Sequence, residues 1–500
     1  MSDREQPIFD IAVIGGGING VAIARDAAGR GFKVVLCEAN DLGSATSSAS
    51  SKLVHGGLRY LEHGQLGLVR ESLRERETLL RIAPHLVTPL QFLLPHAPGT
   101  RPAWLVRLGL LLYDTLTARR RLGRSASIDL AAEPEGEHVR PPFRSGFSYW
   151  DCWADDARLV IATARDADQR GAEIRPCTRC VGAQRTDAGW RIELRAHGGA
   201  AESIVARALV NATGPWAGNF VTEISRTLAA SPITLVKGSH IVVPRLFAGG
   251  RAFLLQNTDR RVVFVLPISA QHHLIGTTDT PFAGEPGDAA VDPDEIDYLL
   301  KVVRRYFDRP LAAADIVWRY SGVRPLFGAG GGNVSKMSRE FVLDLSAARD
   351  GPPLLNVFGG KLTVHRRLAE LAMDRLAPAL GKPTQAWTAD AALPGGDFAD
   401  RATLEAEIAS RYPWLSKATV HRLTSAYGAE VDRVLSNAAA EPALGRHFGH
   451  GLYEAEVDYL VREEWARSVE DIVWRRSKLG LQLSGAEVSA LAAHLAARQS

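Results

Sequence analysis

Residues 11–38 read IAVIGGGINGVAIARDAAGRGFKVVLCE, and no other stretch of the chain restricts its fold as much. The apolar run at 11–14 meets Gly15-x-Gly17-x-x-Gly20, a helix-like segment follows, and a second apolar run (Val34, Val35, Leu36) ends at Glu38. Strand, tight turn, helix and strand make one βαβ unit. Gly15 permits the turn, Gly17 lets backbone N–H groups approach a pyrophosphate, and Gly20 lets helix and strand pack closely. The diphosphate then sits at the positive end of the helix dipole, beside Ile18 and Asn19. Glu38 is placed to accept hydrogen bonds from ribose hydroxyls, and its charge repels a 2′-phosphate, which disfavours NADP. On this stretch alone NAD and FAD both remain open.

A chain of 500 residues, 46% apolar, suggests two to four domains with sizeable cores. A net charge of +3 gives no nucleic-acid footprint. Four cysteines (Cys37, Cys152, Cys177, Cys180) do not make a disulfide framework, and a reducing compartment fits better. Cys177 and Cys180 have CxxC spacing without a second pair or a nearby histidine cluster, so no metal site is expected, and Cys37 is expected simply to pack. The N-terminus lacks the pattern of a signal peptide, and no run approaches the length of a transmembrane helix. The expectation is a cytoplasmic protein that does not span a bilayer.

Further along, TSSASSK (46–52) and His55-Gly56-Gly57-Leu58-Arg59-Tyr60 read as a loop able to run close beside a ligand. Residues 68–83 and 155–172 read as helices, and 173–174, 190–194, 203–209, 233–243, 262–266 and 274–275 as strands. Strand–glycine–helix logic returns at 354–377, where Gly359-Gly360-Lys361-Leu362-Thr363 would open a helix onto a second part of the same ligand. After Pro394-Gly395-Gly396 helical periodicity dominates, with Ser468-x-x-Asp471 and Ser484-x-x-Glu487 resembling capping boxes. This C-terminal part suggests packing, homodimer contacts or partner docking.

The βαβ unit, TSSASSKLVHGGLRYLE at 46–62, NATGPW at 211–216, KGSHIVVP at 237–244, SGVRPL at 321–326, FGGKLT at 358–363 and WRR at 474–476 belong together. In that order and spacing they resemble the FAD-dependent glycerol-3-phosphate dehydrogenases, the respiratory enzymes, from Asp10 to about Gly480. The resemblance implies an α/β fold: a glutathione-reductase-like FAD-binding Rossmann domain (1–90, 150–225, 322–388), an inserted mixed-sheet substrate domain (91–149, 226–321) and a helical C-terminal domain (389–500). It also implies oxidation of sn-glycerol 3-phosphate to dihydroxyacetone phosphate, with electrons passed to membrane quinone. Similar enzymes usually carry Thr-Tyr-Arg after GGKLT where this chain has Val364-His365-Arg366, a position read here as supporting the turn.

Oxidising a secondary alcohol with a flavin requires that a dianionic phosphate be held, a hydroxyl proton removed and the carbon brought to about 3–3.5 Å of the acceptor atom. Arg holds phosphate bidentately, and the cations in the matched segments are Arg59, Arg324, Arg339 and Lys361, with Tyr60 beside Arg59. His240 is the expected general base, its ordinary pKa lying near working pH. Arg59, Arg324 and Lys361 would stabilise alkoxide character, and an Arg-assisted route without a histidine base stays open. For the cofactor, Thr46, Ser47, Ser48, Ser50, Ser51 and Lys52 are expected at the diphosphate or ring edge. His55, Gly56 and Gly57 would line the flavin, and Ala212, Thr213 and Gly214 the adenosine half. Gly359, Gly360, Leu362 and Thr363 put a helix N-terminus near the flavin pyrimidine. This second ligand-facing helix favours FAD.

Residues 101–124 (RPAWLVRLGLLLYDTLTARRRLGR) space Trp104, Leu105, Leu108, Leu111 and Leu112 at helical intervals among arginines 101, 107, 119, 120, 121 and 124. That pattern suits peripheral attachment to the anionic inner-membrane surface; a core helix followed by a solvated basic loop is the alternative. Two other functions compete: a related FAD oxidase reducing O2, of the glycerol-3-phosphate or D-amino-acid/amine type, and a non-enzymatic flavin-stabilised module.

Overall fold

The computed structural model describes residues 8–97, 101–117, 121–225, 233–259, 261–328, 340–346 and 351–499. Strand β1 (Ile8–Ile14), helix α1 (Ile18–Gly29) and strand β2 (Val34–Cys37) form the βαβ unit. β1 lies between β2 and strand β3 (Ala201–Asn211), parallel to both, and strand β4 (Leu354–Phe358) extends the sheet beyond β3. Residues Glu173–Arg175 close the other edge beside β2. The central strands are buried on both faces, as near-continuous Val, Ile and Leu runs require. Cys37 is among them, 1% exposed and packed as expected. Helices α1, Asp156–Gln169 and α2 (His365–Ala379) cover one face with a shared core of Val21, Ile161, Leu368 and Met373.

A second, ten-stranded sheet is built around Ile233–Pro244, which pairs antiparallel with His272–Gly276 on one side and Trp318–Phe327 on the other. Val87–His96 and Ser145–Ala154 continue it through a ten-residue antiparallel ladder. Leu53–Val54, residues 150–154 and residues 322–327 pair into this sheet, although the expected boundaries place them with the first. Long ladders carry these strands across the limits that segment order suggests.

From residue 401 the chain is helical: Arg401–Arg411, Lys417–Tyr427, Glu454–Glu463 and Gly485–Gln499 enclose their own core of Ile408, Leu423, Val457, Leu460 and Leu491. Both expected capping boxes form. Ser468 N–H and Asp471 N–H donate to each other's side chains at 2.9 and 3.1 Å, and Ser484 and Glu487 repeat the exchange at 2.7 and 3.4 Å.

Candidate active site

A cavity of about 2010 Å3 runs from the β1–α1 turn, past the end of β3 and the residue 44–51 loop, to the second sheet. Gly15 has φ +112°, and a Cβ there would stand 2.4 Å from Ala212 O; one on Gly20 would stand 1.9 Å from Gly15 O. Only glycine lets β1, α1 and β3 approach this closely. Gly17 instead faces the cavity, where Ile18 N–H, at the start of α1, donates to Ser47 Oγ at 3.0 Å. Glu38 closes this end. Its carboxylate accepts from Gly16 N–H at 2.6 Å and Asn40 N–H at 2.8 Å; burial raises its pKa above the usual carboxylate value against those two bonds.

Asn19 lines the same wall. It donates through Nδ2 to Gly359 O at 3.1 Å, while its Oδ1 is buried with no hydrogen-bond partner among the described residues. An open glycine turn on a helix N-terminus, an orphaned acceptor beside it and a carboxylate at the strand end together fit a dinucleotide. Ala212, Thr213 and Gly214 flank this end, with Thr213 Oγ1 donating to Asn211 Oδ1 at 2.7 Å.

Thr46, Ser47, Ser50, Ser51, His55 and Gly57 line the middle of the cavity, as do Gly359, Gly360, Leu362 and Thr363. Thr363 Oγ1 joins the two groups by accepting from His55 N–H at 3.2 Å. Four residues expected at the cofactor do not line the wall: Gly20, Ser48, Lys52 and Gly56. Gly20 packs behind the turn, and Ser48 Oγ donates to Ala45 O at 3.3 Å. Gly56 N–H donates to Tyr113 Oη at 2.8 Å. Lys52 is 1% exposed, and its Nζ donates to both oxygens of Asp156 at 2.8 and 2.9 Å. Its charge neutralises a buried carboxylate that also takes Ser50 Oγ, so Lys52 shapes the loop rather than presenting a cation.

Arg59, Tyr60, Arg324 and Lys361 share the far part of the cavity. Lys361 Nζ sits 3.8 Å from the Tyr60 ring centroid, a cation–π contact that ties the two turns together. Arg324, on the strand Trp318–Phe327, donates to Asp279 Oδ1 at 2.5 Å and to Thr277 Oγ1 at 3.0 Å. Thr277 and Asp279 also line the cavity; the polar run after the apolar strand end at Ile275 is their only mark in the sequence. Arg339 lies outside the described residues.

His240 is not part of the wall. It is 1% exposed, stacks on Tyr320 with ring centroids 4.9 Å apart, and meets Ser51 Oγ through Nε2 at 2.9 Å. Burial, with the positive charges of Arg324 and Lys52, holds its pKa well below the ordinary histidine value. A neutral imidazole behind Ser51 positions that hydroxyl and is poorly placed to take a substrate proton. His365 likewise faces inward, its Nδ1 2.6 Å from Leu362 O at the start of α2, which is the turn-supporting role expected of it.

The helix Ala103–Thr115 buries only Leu110 and Tyr113. Trp104, Leu105, Leu108, Leu111 and Leu112 stay exposed, so this is not a core helix. Leu105, Leu108 and Leu112 also line the cavity, alongside Arg101. Arg119 and Arg120 lie outside the described residues. Among the described residues no helix is long and apolar enough to cross a membrane. Also among them, Glu454, Asp458 and His494 are close enough to share a metal ion, but Arg498 ion-pairs with both carboxylates.

Comparison with known proteins matches residues 10–366 to the model of the FAD dependent oxidoreductase family and residues 386–499 to the C-terminal domain of alpha-glycerophosphate oxidase. The chain is 48% identical over 489 residues to a glycerol-3-phosphate dehydrogenase of Pseudomonas aeruginosa, covering 98% of this chain and 95% of that one. It is equally similar, 48% over 489 residues, to a D-erythritol 1-phosphate dehydrogenase of Brucella abortus, covering 97% of each. The crystal structure of a glycerol-3-phosphate dehydrogenase from Bacillus halodurans complexed with FAD superposes with a TM-score of 0.74 at 25% identity, covering 99% of this chain and 90% of that one.

Proposed function

Because the chain belongs to the FAD-dependent glycerol-3-phosphate dehydrogenases, we propose that it oxidises sn-glycerol 3-phosphate to dihydroxyacetone phosphate and passes the electrons to membrane quinone. FAD, the cofactor of the family, supplies the hydride acceptor. The observation that carries the reading is the presence of Arg59, Arg324 and Lys361 on one cavity that also contains the dinucleotide turn. Arg59 and Lys361 suit a phosphate dianion, and with Arg324 the set exceeds what a single carboxylate needs, which argues against an amino-acid oxidase. Arg324, oriented by Asp279 and Thr277, holds the reacting hydroxyl as developing alkoxide. His55 lines the cavity and replaces His240 as the imidazole able to take the hydroxyl proton.

The helix Ala103–Thr115 would hold the enzyme on the cytoplasmic face of the inner membrane, its exposed leucines and Trp104 in the interface and the nearby arginines on anionic headgroups. Its residues at the cavity suit delivery of electrons to a lipid-soluble acceptor.

Anaerobic titration of the purified flavoprotein tests substrate and cofactor together. Glycerol 3-phosphate should bleach the flavin absorbance, whereas glycerol and D-amino acids should not; failure to bleach defeats the proposal. The Brucella relative makes D-erythritol 1-phosphate the rival substrate. A higher kcat/KM for it would reassign the specificity while leaving the chemistry intact. Reoxidation by a quinone analogue faster than by O2 separates dehydrogenase from oxidase.

A further inference from the structure

Arg475 and Arg476, on the π-helical turn Asp471–Arg476, reach out of the C-terminal domain to the dinucleotide-binding one, and Trp474 on the same turn reaches the second sheet. Arg476, with a side chain 0% exposed, donates to Asp41 Oδ1 at 2.8 Å and Oδ2 at 2.5 Å. Arg475 Nε adds a third bond to Asp41 Oδ2 at 2.5 Å. Two guanidinium groups thus converge on one buried carboxylate, and the surplus positive charge is met where Arg475 also pairs with Glu470 and Asp471. Such a carboxylate has little freedom, because every alternative position would leave buried charges unpaired.

Asp41 stands three residues beyond Glu38. Its neighbour Asn40 donates N–H to Glu38 Oε1 at 2.8 Å, and Gly43 N–H donates to Gly16 O at 3.0 Å. Holding Asp41 therefore holds both the ribose-facing carboxylate and the glycine turn. Lys478, two residues past the π-helical turn, supports the far end of this loop. Lys478 Nζ lies 3.4 Å from Asp155 Oδ1 and 3.6 Å from Asp156 Oδ1, and Asp156 takes Ser50 and Lys52. Trp474 stacks on Trp318 with centroids 4.2 Å apart, and Tyr320, two residues on, donates its hydroxyl to Ser50 O at 2.8 Å.

We infer that Arg475 and Arg476 are positioning residues for the cofactor: they set the loop at 38–52 in the shape that receives the adenosine end of FAD, so FAD affinity is decided in part by the C-terminal domain. This goes beyond the proposed reaction and is independent of substrate and electron acceptor.

The test uses full-length apoprotein, titrated with FAD and separately with ADP, for wild type, Arg476→Gln and Asp41→Asn. Both variants should bind FAD and ADP at least tenfold more weakly, and FAD should raise their melting temperatures less than it raises that of wild type. Unchanged dissociation constants with an undiminished FAD-induced rise, even if apo and holo forms melt lower in parallel, would mean that the arginines only join two domains, and would overturn the inference. If Arg476→Gln does not fold by circular dichroism, Arg476→Lys and Asp41→Asn decide it by the same two readouts.

Discussion

Replacing Trp104 by Ser addresses the membrane reading through a side chain whose surroundings are simple. Trp104 is 69% exposed, on the first turn of the helix Ala103–Thr115. For a side chain of on the order of 200 Å2, that leaves about 140 Å2 in water. Complete transfer at about 25 cal/mol/Å2 corresponds to ~3.5 kcal/mol. An interfacial helix sinks only one face to about 5–10 Å, so roughly half of this is realised. A loss of ~1.7 kcal/mol is roughly a 20-fold drop in vesicle partitioning. Leu108, 56% exposed and one turn away on the same face, should bring the Trp104→Ser/Leu108→Ser double variant to roughly 100-fold. Neither side chain supports the core, so stability should stay within about 0.5 kcal/mol of wild type. Co-sedimentation with anionic vesicles measures the partition coefficient. Raising the salt should weaken wild-type binding by screening the arginines while leaving the ratio between variant and wild type nearly constant. A double variant that melts and partitions like wild type refutes the argument.

Arg324→Lys keeps a positive charge but loses the fork that bonds Asp279 and Thr277, and should lower kcat/KM roughly 100-fold with flavin content unchanged; loss of flavin instead would place this residue at the wrong end of the cavity. Gly20→Ala places a Cβ 1.9 Å from Gly15 O, a backbone atom that cannot swing aside. It should cost about 1–3 kcal/mol of stability and leave purified protein depleted in FAD, read from the ratio of flavin to protein absorbance. Burial holds the His365 pKa down at about 4, whereas the unfolded chain takes that proton near the ordinary value of about 6.5. The unfolded state therefore binds more protons inside this window, and stability falls as pH drops through it, by ~1.4 kcal/mol per pH unit for this group. In His365→Gln the slope of unfolding free energy against pH between 6.5 and 4 should lose one proton's worth; an unchanged slope would refute the assignment.

The nucleotide turn was legible because its determinants are local. Gly15, Gly17 and Gly20 sit within six residues, and Gly20 meets Gly15 O inside that span, although the close approach that Gly15 allows is to Ala212, far along the chain. The capping boxes at Ser468 and Ser484 were legible for the same reason, since a side chain three residues from its partner needs no tertiary information. Arg59, Arg324 and Lys361 were found through the strings around them, and folding put them on one cavity although Arg59 precedes the other two by hundreds of residues.

His240 shows where this kind of reading ends. Residues 236–243 of its strand are buried without a break, so no alternation of polar and apolar residues marks which side faces the cavity. Lys52 reads in isolation as a solvated cation in a serine-rich loop; only the burial of Asp156, 104 residues on, makes it an internal counter-ion. Arg476 and Asp41 are 435 residues apart. The sequence by itself determined the cofactor class, the strand–turn–helix units and the cations available for a phosphate, because these follow from backbone geometry and residue chemistry over short spans. Only the tertiary structure decided which charges face substrate and which are spent on one another, because burial and ion pairing depend on what long-range packing places opposite each side chain.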